Sequence, residues 1–150
     1  NYFAECLKEH SIYRIYYALV EGSVKEEQGI INAPLGRNEH DRKKRAVTNK
    51  NSKEAITNFW VLERYKNYTL VKLKLETGRT HQIRVHMKYI GHPVVGDDVY
   101  GRAINKFGLS GQLLHSKTLG FIHPSTHEYM EFDSDIPDYF KNVIRKIKQS

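Results

Sequence analysis

Residues 75–101 read LETGRTHQIRVHMKYIGHPVVGDDVYG and decide how the middle of the chain folds. Three apolar residues in this stretch recur at i, i+4 and i+7: Ile83, Met87 and Ile90. That spacing places side chains on one face of a helix. Thr80 is positioned to cap the helix, and Gly91 followed by Pro93 ends it. The stretch therefore predicts a short helix over residues 80–90.

Arg84 lies off the apolar stripe of this predicted helix, one turn after His81. Its guanidinium offers a planar fork of N–H donors that suits a carboxylate or a phosphate. A carboxylate enclosed in a cleft needs a fixed positive neighbour if it is to stay ionised and oriented. Arg84 is therefore the first candidate for a residue that holds an anion. A structural ion pair is the alternative interpretation.

Three histidines in the same stretch invite a metal-site interpretation: His81, His86 and His92. Zinc-binding helices use pairs at i and i+4, whereas His81 and His86 are five residues apart and would point to different sides of a helix. We therefore predict no metal site and interpret His81 as a hydrogen-bond partner that orients a neighbour.

The composition is typical of one globular domain, and we expect a single domain over residues 1–150. No apolar run approaches the ~20 residues that a helix needs to cross a bilayer, so we expect no membrane partner. The single cysteine, Cys6, excludes an internal disulfide and favours a reducing, cytoplasmic compartment. A formal net charge of +7 favours a polyanionic partner.

The positive charge is concentrated in residues 37–53, which we call the basic segment. Its cations are Arg37, Arg42, Lys43, Lys44, Arg45, Lys50 and Lys53. Only Glu39 and Asp41 oppose them. The segment carries little apolar surface, so it is expected to be an exposed loop or hairpin that contacts the phosphates of a nucleic acid. The alternative is a solvated charged loop with no ligand.

Alternation of apolar and polar residues predicts more strands than helices elsewhere in the chain. The predicted strands are 12–20, 30–35, 45–48, 55–65, 68–76, 113–121 and 129–132, and the further helices are 2–10 and 138–148. Because the helices do not alternate strictly with the strands, we expect an α+β domain built on a mainly antiparallel mixed sheet with flanking helices.

Residues 75–101 closely resemble the second signature of the RluA/RluD-type ribosomal large-subunit pseudouridine synthases. Further blocks resemble that family in the same order: RIYYALVEG at 14–22, PLGR at 34–37, SKEAIT at 52–57, LLHS at 113–116 and FIHP at 121–124. The resemblance spans about residues 12–138 and implies the family's fold: a mixed sheet with helices and loops around a central cleft.

The resemblance also implies residue roles. Arg84 would pair with the nucleophilic aspartate of the family, Tyr16 would pack against the target base and take part in proton transfer, and Leu114 would line the base pocket. Arg79 would contact an RNA phosphate or a neighbouring loop. Without the resemblance, a strand tyrosine and a leucine are more often ordinary core residues. The family needs no cofactor and no metal.

The family's nucleophile lies in a His-Arg-Leu-Asp-x-x-Thr-Ser-Gly block upstream of the Tyr16 strand, and these 150 residues contain no such block. We therefore expect the C-terminal part of a catalytic domain that is inactive alone. Asp97 or Asp98 could be suggested as a replacement acid, but an aspartate there is better interpreted as fixing the loop. Without the upstream part, one edge of the sheet should be left unpaired. We expect that edge either to mediate self-association or to face solvent.

The expected activity of the parent protein is the isomerisation of uridine to pseudouridine in RNA. Ribosomal RNA of the large subunit, 23S rRNA, is the first substrate expected, and transfer RNA is an alternative. Two other hypotheses stay open for the chain itself: a non-catalytic RNA-binding module that acts with a partner chain, and a purely structural fragment.

Overall fold

Ten regular elements organise residues 12–102 and 106–149, which are the residues that the computed structural model describes. The strands are β1 (Tyr13–Glu21), β2 (Gln28–Asn32), β3 (Leu35–Arg37), β4 (Arg45–Val47), β5 (Ile56–Arg64), β6 (Tyr68–Leu75), β7 (Leu114–Ile122) and β8 (Tyr129–Asp133). The helices are α1 (Gln82–Tyr89) and α2 (Asp138–Lys148). The predicted helix at 2–10 and Cys6 lie outside the described residues.

Six of these strands form one sheet in the order β2-β5-β6-β1-β7-β8, and β3 pairs with β4 in a separate hairpin. Every pairing between these strands is antiparallel. The α+β prediction with a mainly antiparallel sheet is therefore confirmed. The β3–β4 pairing also confirms that the basic segment forms a hairpin, which we call the basic hairpin.

One face of the sheet is covered by α1, and we call it the α1 face. Alternate residues of β1 and β6 point to it and form a cluster with two apolar residues of the helix: Ala18, Val20, Val71, Leu73, Leu75, Ile83 and Met87. Because side chains alternate along a strand, Tyr16 belongs to the same face as Ala18, and it packs against this cluster. The α1 face therefore carries the predicted site tyrosine.

The opposite face packs against α2, and its contacts are apolar. The cluster consists of Leu19 and Leu70 from the sheet with Phe140, Val143 and Ile147 from the helix. The cations of α2 face outwards, as the sequence predicted, because Lys141, Arg145 and Lys146 are exposed. This face has the composition of a hydrophobic core, so it contributes stability.

Two local predictions need correction. The predicted strand 30–35 is divided into β2 and β3, because Pro34 has no N–H for a ladder. The central helix starts at Gln82, and its N-cap residue is His81, with φ 57° and no capping hydrogen bond from its side chain, so the Thr80 cap is wrong.

The predicted end of α1 is confirmed. Gly91 adopts φ 89°, and the His92 N–H donates to the Met87 carbonyl at 2.8 Å. A bond of this kind across a left-handed residue satisfies a carbonyl of the last turn. Neither helix of the described residues is long and apolar enough to span a membrane.

Candidate functional site

The start of α1 is fixed to the β5–β6 hairpin by the buried side chain of Gln82. Its Oε1 accepts from the Thr77 hydroxyl at 2.7 Å and from the Arg79 N–H at 3.0 Å. Its Nε2 donates to the Ile56 carbonyl at 3.1 Å. These bonds set the position of the helix relative to the sheet, and thereby the position of every side chain that the helix carries.

His86 is a structural residue of the same helix. It is fully buried, its Nδ1 lies 2.8 Å from the Thr57 hydroxyl, and its Nε2 lies 2.9 Å from the Ala33 carbonyl. Burial lowers the pKa of His86, against the effect of the Ala33 bond, so the neutral ring is favoured. Among the described residues, no three His, Cys, Asp or Glu side chains are grouped as a metal site.

Arg84 forms a two-bond ion pair with Asp97. The Arg84 Nε donates to Asp97 Oδ2 at 2.8 Å, and its Nη2 donates to Oδ1 at 2.9 Å. The side chain of Arg84 is 11% exposed and that of Asp97 is 0% exposed. Oδ1 also accepts from the backbone N–H groups of Val99 and Tyr100, both at 3.0 Å. Asp97 therefore fixes the loop after α1, as the sequence suggested.

Both partners of this pair have a shifted pKa. Burial alone would raise the pKa of Asp97, but the bonds from Arg84, Tyr100 and Val99 hold it below its ordinary value. The bond to Asp97 raises the pKa of Arg84 although burial opposes this shift. From its motif, Arg84 is expected to pair with an aspartate from outside these residues. The structure gives it an internal one, because the loop folds back across 13 residues.

Tyr100 joins the Arg84 pair to the basic hairpin. Its hydroxyl accepts from the Arg45 N–H at 2.9 Å and lies 2.7 Å from His81 Nδ1. Which of the two groups donates in the contact with His81 depends on the tautomer of His81. The guanidinium of Arg84 lies 5.1 Å from the centre of the Tyr100 ring.

His81 is thus an orienting residue, and its own state is fixed by its surroundings. Burial, together with the charges of Arg84 and Arg45, lowers the pKa of His81. Sequence reasoning missed the role of Tyr100. The only available signal was an aromatic residue in a loop of small and acidic residues at 96–101.

Tyr16 and Leu114 lie on the α1 face on neighbouring strands. Tyr16 is opposite Ser116, and Ala18 is opposite Leu114, so the tyrosine and the leucine are diagonal neighbours. Both are half-buried and pack against the cluster that α1 completes. The fold therefore brings these two predicted site residues to one apolar surface, next to the helix that carries Arg84.

The predicted RNA-contacting residues occupy a different surface, on and beside the basic hairpin. Arg42 and Lys43 are exposed at its tip, and Lys44 and Arg45 are half-buried. Arg79 donates from Nε to the Glu54 carbonyl at 2.7 Å, which fits the neighbouring-loop alternative.

A groove of about 400 Å³ separates the basic hairpin from the loop that precedes α1. Its lining includes four cations and no carboxylate: Arg37, Arg45, Lys53 and Arg79. Such a groove has the charge expected of a surface that contacts phosphates.

The sequence model described as RNA pseudouridylate synthase matches residues 1–89, and the chain belongs to this family. It is 45% identical over 144 residues to the uncharacterized RNA pseudouridine synthase YlyB of Bacillus subtilis, covering 96% of this chain and 47% of that protein.

A second relative is the ribosomal large subunit pseudouridine synthase D of Zymomonas mobilis, which is 42% identical over 86% of this chain and 43% of its own length. The chain thus spans about half the length of these curated relatives. Among solved structures, human RNA pseudouridylate synthase domain containing 1 superposes with a TM-score of 0.78 at 26% identity, covering 98% of this chain and 70% of that one.

The Arg84–Asp97 pair generates a stability prediction. Asp97→Asn removes the charge opposite a mostly buried guanidinium and should lower the free energy of unfolding by about 3–5 kcal/mol at pH 7. Because the folded-state pKa of Asp97 is lowered, its contribution is complete above about pH 3.9 and is lost as the pH falls further. The Asp97→Asn substitution should therefore flatten the acid limb of the stability curve.

Urea denaturation between pH 2.5 and pH 7 measures both effects. The exposed neighbour gives the matched control, since Asp98→Asn should change the free energy of unfolding by less than about 0.5 kcal/mol. Equal effects of the two substitutions would contradict the assigned role of the pair.

Proposed function

We propose that the protein to which this chain belongs converts uridine to pseudouridine in RNA, and that the α1 face receives the target base. The reaction breaks the bond between ribose and a ring nitrogen of uracil, turns the base, and rejoins the ribose to a ring carbon. That carbon gives up a proton, and the freed ring nitrogen takes one up. Membership of the RNA pseudouridylate synthase family supports the activity. The observation that carries the site is the meeting of Tyr16 and Leu114 on one face beside α1.

A base that leaves its helix loses stacking, so its pocket must replace that interaction. Tyr16 offers an aromatic surface, on which stacking contributes about 1–3 kcal/mol per base. Leu114 closes the same surface with an aliphatic side chain. The hydroxyl of Tyr16 is the group proposed to take part in proton transfer at the ring carbon that joins the ribose.

Arg84 is proposed to orient the nucleophilic aspartate. Asp97 occupies its Nε and Nη2, and its Nη1 makes no hydrogen bond to a described residue. A second carboxylate can therefore bind the outer edge of a guanidinium that is already held in place. Since these 150 residues contain no His-Arg-Leu-Asp block, we propose that the nucleophile comes from polypeptide outside them.

The basic hairpin and its groove are proposed to hold the RNA around the target nucleotide. Large-subunit ribosomal RNA is the proposed substrate, supported by relatives named ribosomal large subunit pseudouridine synthase D. The proposed compartment is the cytoplasm, which a chain with one cysteine suits.

Self-association through a sheet edge also belongs to the proposal. Strand β8 lies at one end of the described sheet, and its Tyr129 and Phe132 are 54% and 53% exposed. An exposed edge strand with aromatic side chains is a surface along which two chains can pair.

The assigned role of Tyr16 can be tested by tritium release from RNA labelled at C5 of uridine, with a protein that carries these residues and the aspartate block. Tyr16→Ala should lower the rate about 10²–10⁴-fold, because stacking and proton transfer are lost together. Tyr16→Phe keeps the stacking surface, so it should lower the rate of tritium release less than Tyr16→Ala does.

Tyr17→Ala is the matched control for this assay, since Tyr17 is the next residue of β1 and points to the opposite face. Its rate should stay within about threefold of the unsubstituted protein. The 150-residue chain alone should release no tritium. An active Tyr16→Ala protein would refute the assigned pocket, and turnover by the chain alone would refute an external nucleophile.

The basic hairpin generates a separate binding prediction. Lys43→Ala combined with Arg42→Ala should weaken RNA binding and reduce the slope of log K against log salt concentration by about 1.4–1.8, the value for two lost phosphate contacts. Fluorescence anisotropy between 50 and 200 mM salt measures this slope. Lys141→Ala combined with Lys146→Ala removes equal charge from the exposed side of α2 and should leave the slope unchanged. Equal slopes for both double variants would show that only net charge matters.

A further inference from the structure

Arg14 is a buried cation beside the proposed base pocket. It lies two residues before Tyr16 on β1 and therefore on the same face of the sheet. Its neighbour on β7 is Leu119, and only 8% of its surface is exposed. Arginines are rarely buried to this extent without a paired anion. The hydrogen-bond and ion-pair partners of its guanidinium therefore decide whether Arg14 is a core residue or part of an anion-binding site.

The guanidinium of Arg14 has almost no partners. Its Nη2 reaches the Leu75 carbonyl only at 3.5 Å, the outer limit of a hydrogen bond. Its Nε is buried and has no hydrogen-bond partner in the part of the chain that the structure describes. No ion pair between described residues includes Arg14. Within residues 12–102 and 106–149, a buried donor without a partner and a cation without an ion pair therefore coincide in one side chain.

Burial lowers the pKa of Arg14, and the nearby Tyr16 and Glu76 only oppose this shift. An arginine cannot escape this cost by losing its proton, because guanidinium stays charged in proteins. Such a group is stabilised when an anion reaches it, and a planar fork of N–H donors fits a carboxylate best.

The two arginines of the α1 side differ in their charge balance. Arg84 is neutralised by Asp97, so that pair gives little net positive field to an incoming anion. Arg14 forms no ion pair with a described residue, although Tyr16 and Glu76 favour its charged form. A nucleophilic carboxylate requires a net positive neighbour to remain ionised in a closed cleft, and among the described residues of this face Arg14 meets that requirement.

We propose that Arg14 is a buried carboxylate-binding site, and that the nucleophilic aspartate from outside the described residues is the carboxylate that it binds. This inference rests on the proposed function. Arg84 then orients the aspartate through hydrogen bonds, while Arg14 supplies a positive charge that no described residue holds in an ion pair. Arg14 is a positioning residue in this scheme, because it acts on the reaction through the aspartate.

A double-mutant cycle in the full-length protein tests the pairing through unfolding rather than activity. The cycle combines Arg14→Met with replacement of the aspartate of the His-Arg-Leu-Asp block by asparagine. If the two groups pair, the effects of the single substitutions on the unfolding equilibrium constant should depart from independence by at least tenfold in the double variant. Arg14→Lys keeps a positive charge and should retain part of this coupling.

Arg64→Met is the matched control, since Arg64 is bound to Glu27 and the Val24 carbonyl on another part of the sheet. It should show no coupling to the aspartate. The variants Glu5→Gln and Glu9→Gln test the other carboxylates that precede β1 in the sequence. Coupling of Arg14 to either glutamate would overturn the inference. Independence of Arg14 and the aspartate would also overturn it: the unfolding equilibrium constant of the double variant would then lie within twofold of the product of the single effects.

The pH dependence of tritium release gives a second readout. In the Arg14→Met protein, the acid limb of the pH–rate profile should move upward by about one pH unit. Without the positive neighbour, the carboxylate becomes easier to protonate. A lower rate with an unmoved acid limb would assign Arg14 a structural role only and overturn the inference. If the unsubstituted protein shows no tritium release, the proposed function fails, and the unfolding cycle still decides whether Arg14 binds the aspartate.

Discussion

The ion pair between Arg84 and Asp97 is the interaction on which the arrangement around α1 depends. Removing two charges from water is costly unless the geometry is good and further hydrogen bonds satisfy the carboxylate. Asp97 meets this condition with two bonds from the guanidinium and two from the backbone of its own loop. The same loop places Tyr100 against His81 and the basic hairpin, so one carboxylate links the helix, the loop and the hairpin.

The sheet separates stability from chemistry. Its α2 face contains an apolar cluster that includes the fully buried Phe140, which suits a packed core. Its α1 face combines apolar residues with Tyr16, Leu114 and the buried Arg14. Because successive side chains of β1 point to opposite faces, the position of each residue decides whether it packs against α2 or lies on the α1 face. The proposed base pocket lies on a central strand that pairs with a neighbour on each side, β6 and β7.

Sequence patterns predicted the elements better than the contacts between them. Helix 138–148 and the stop at Gly91 follow from local signals, since apolar spacing and backbone freedom are properties of neighbouring residues. The start of α1 depended on Gln82 and its distant partners, so the local Thr80 signal failed. Arg84 was recognised as an anion holder, but its spacing could not reveal that Asp97 would reach it. For the same reason the sequence did not show that Arg14 Nε lacks an acceptor among the described residues, because a sequence shows donors and only a fold shows their partners.

The central claim is that the α1 face, at Tyr16, receives the target uridine. Photocrosslinking with RNA that contains 5-bromouridine tests it most directly, with the crosslinked residue identified by peptide mass spectrometry. The principal crosslink should form on β1 at Tyr16. A principal crosslink on the opposite face, at Tyr17 or at the exposed Tyr139 of α2, would contradict it.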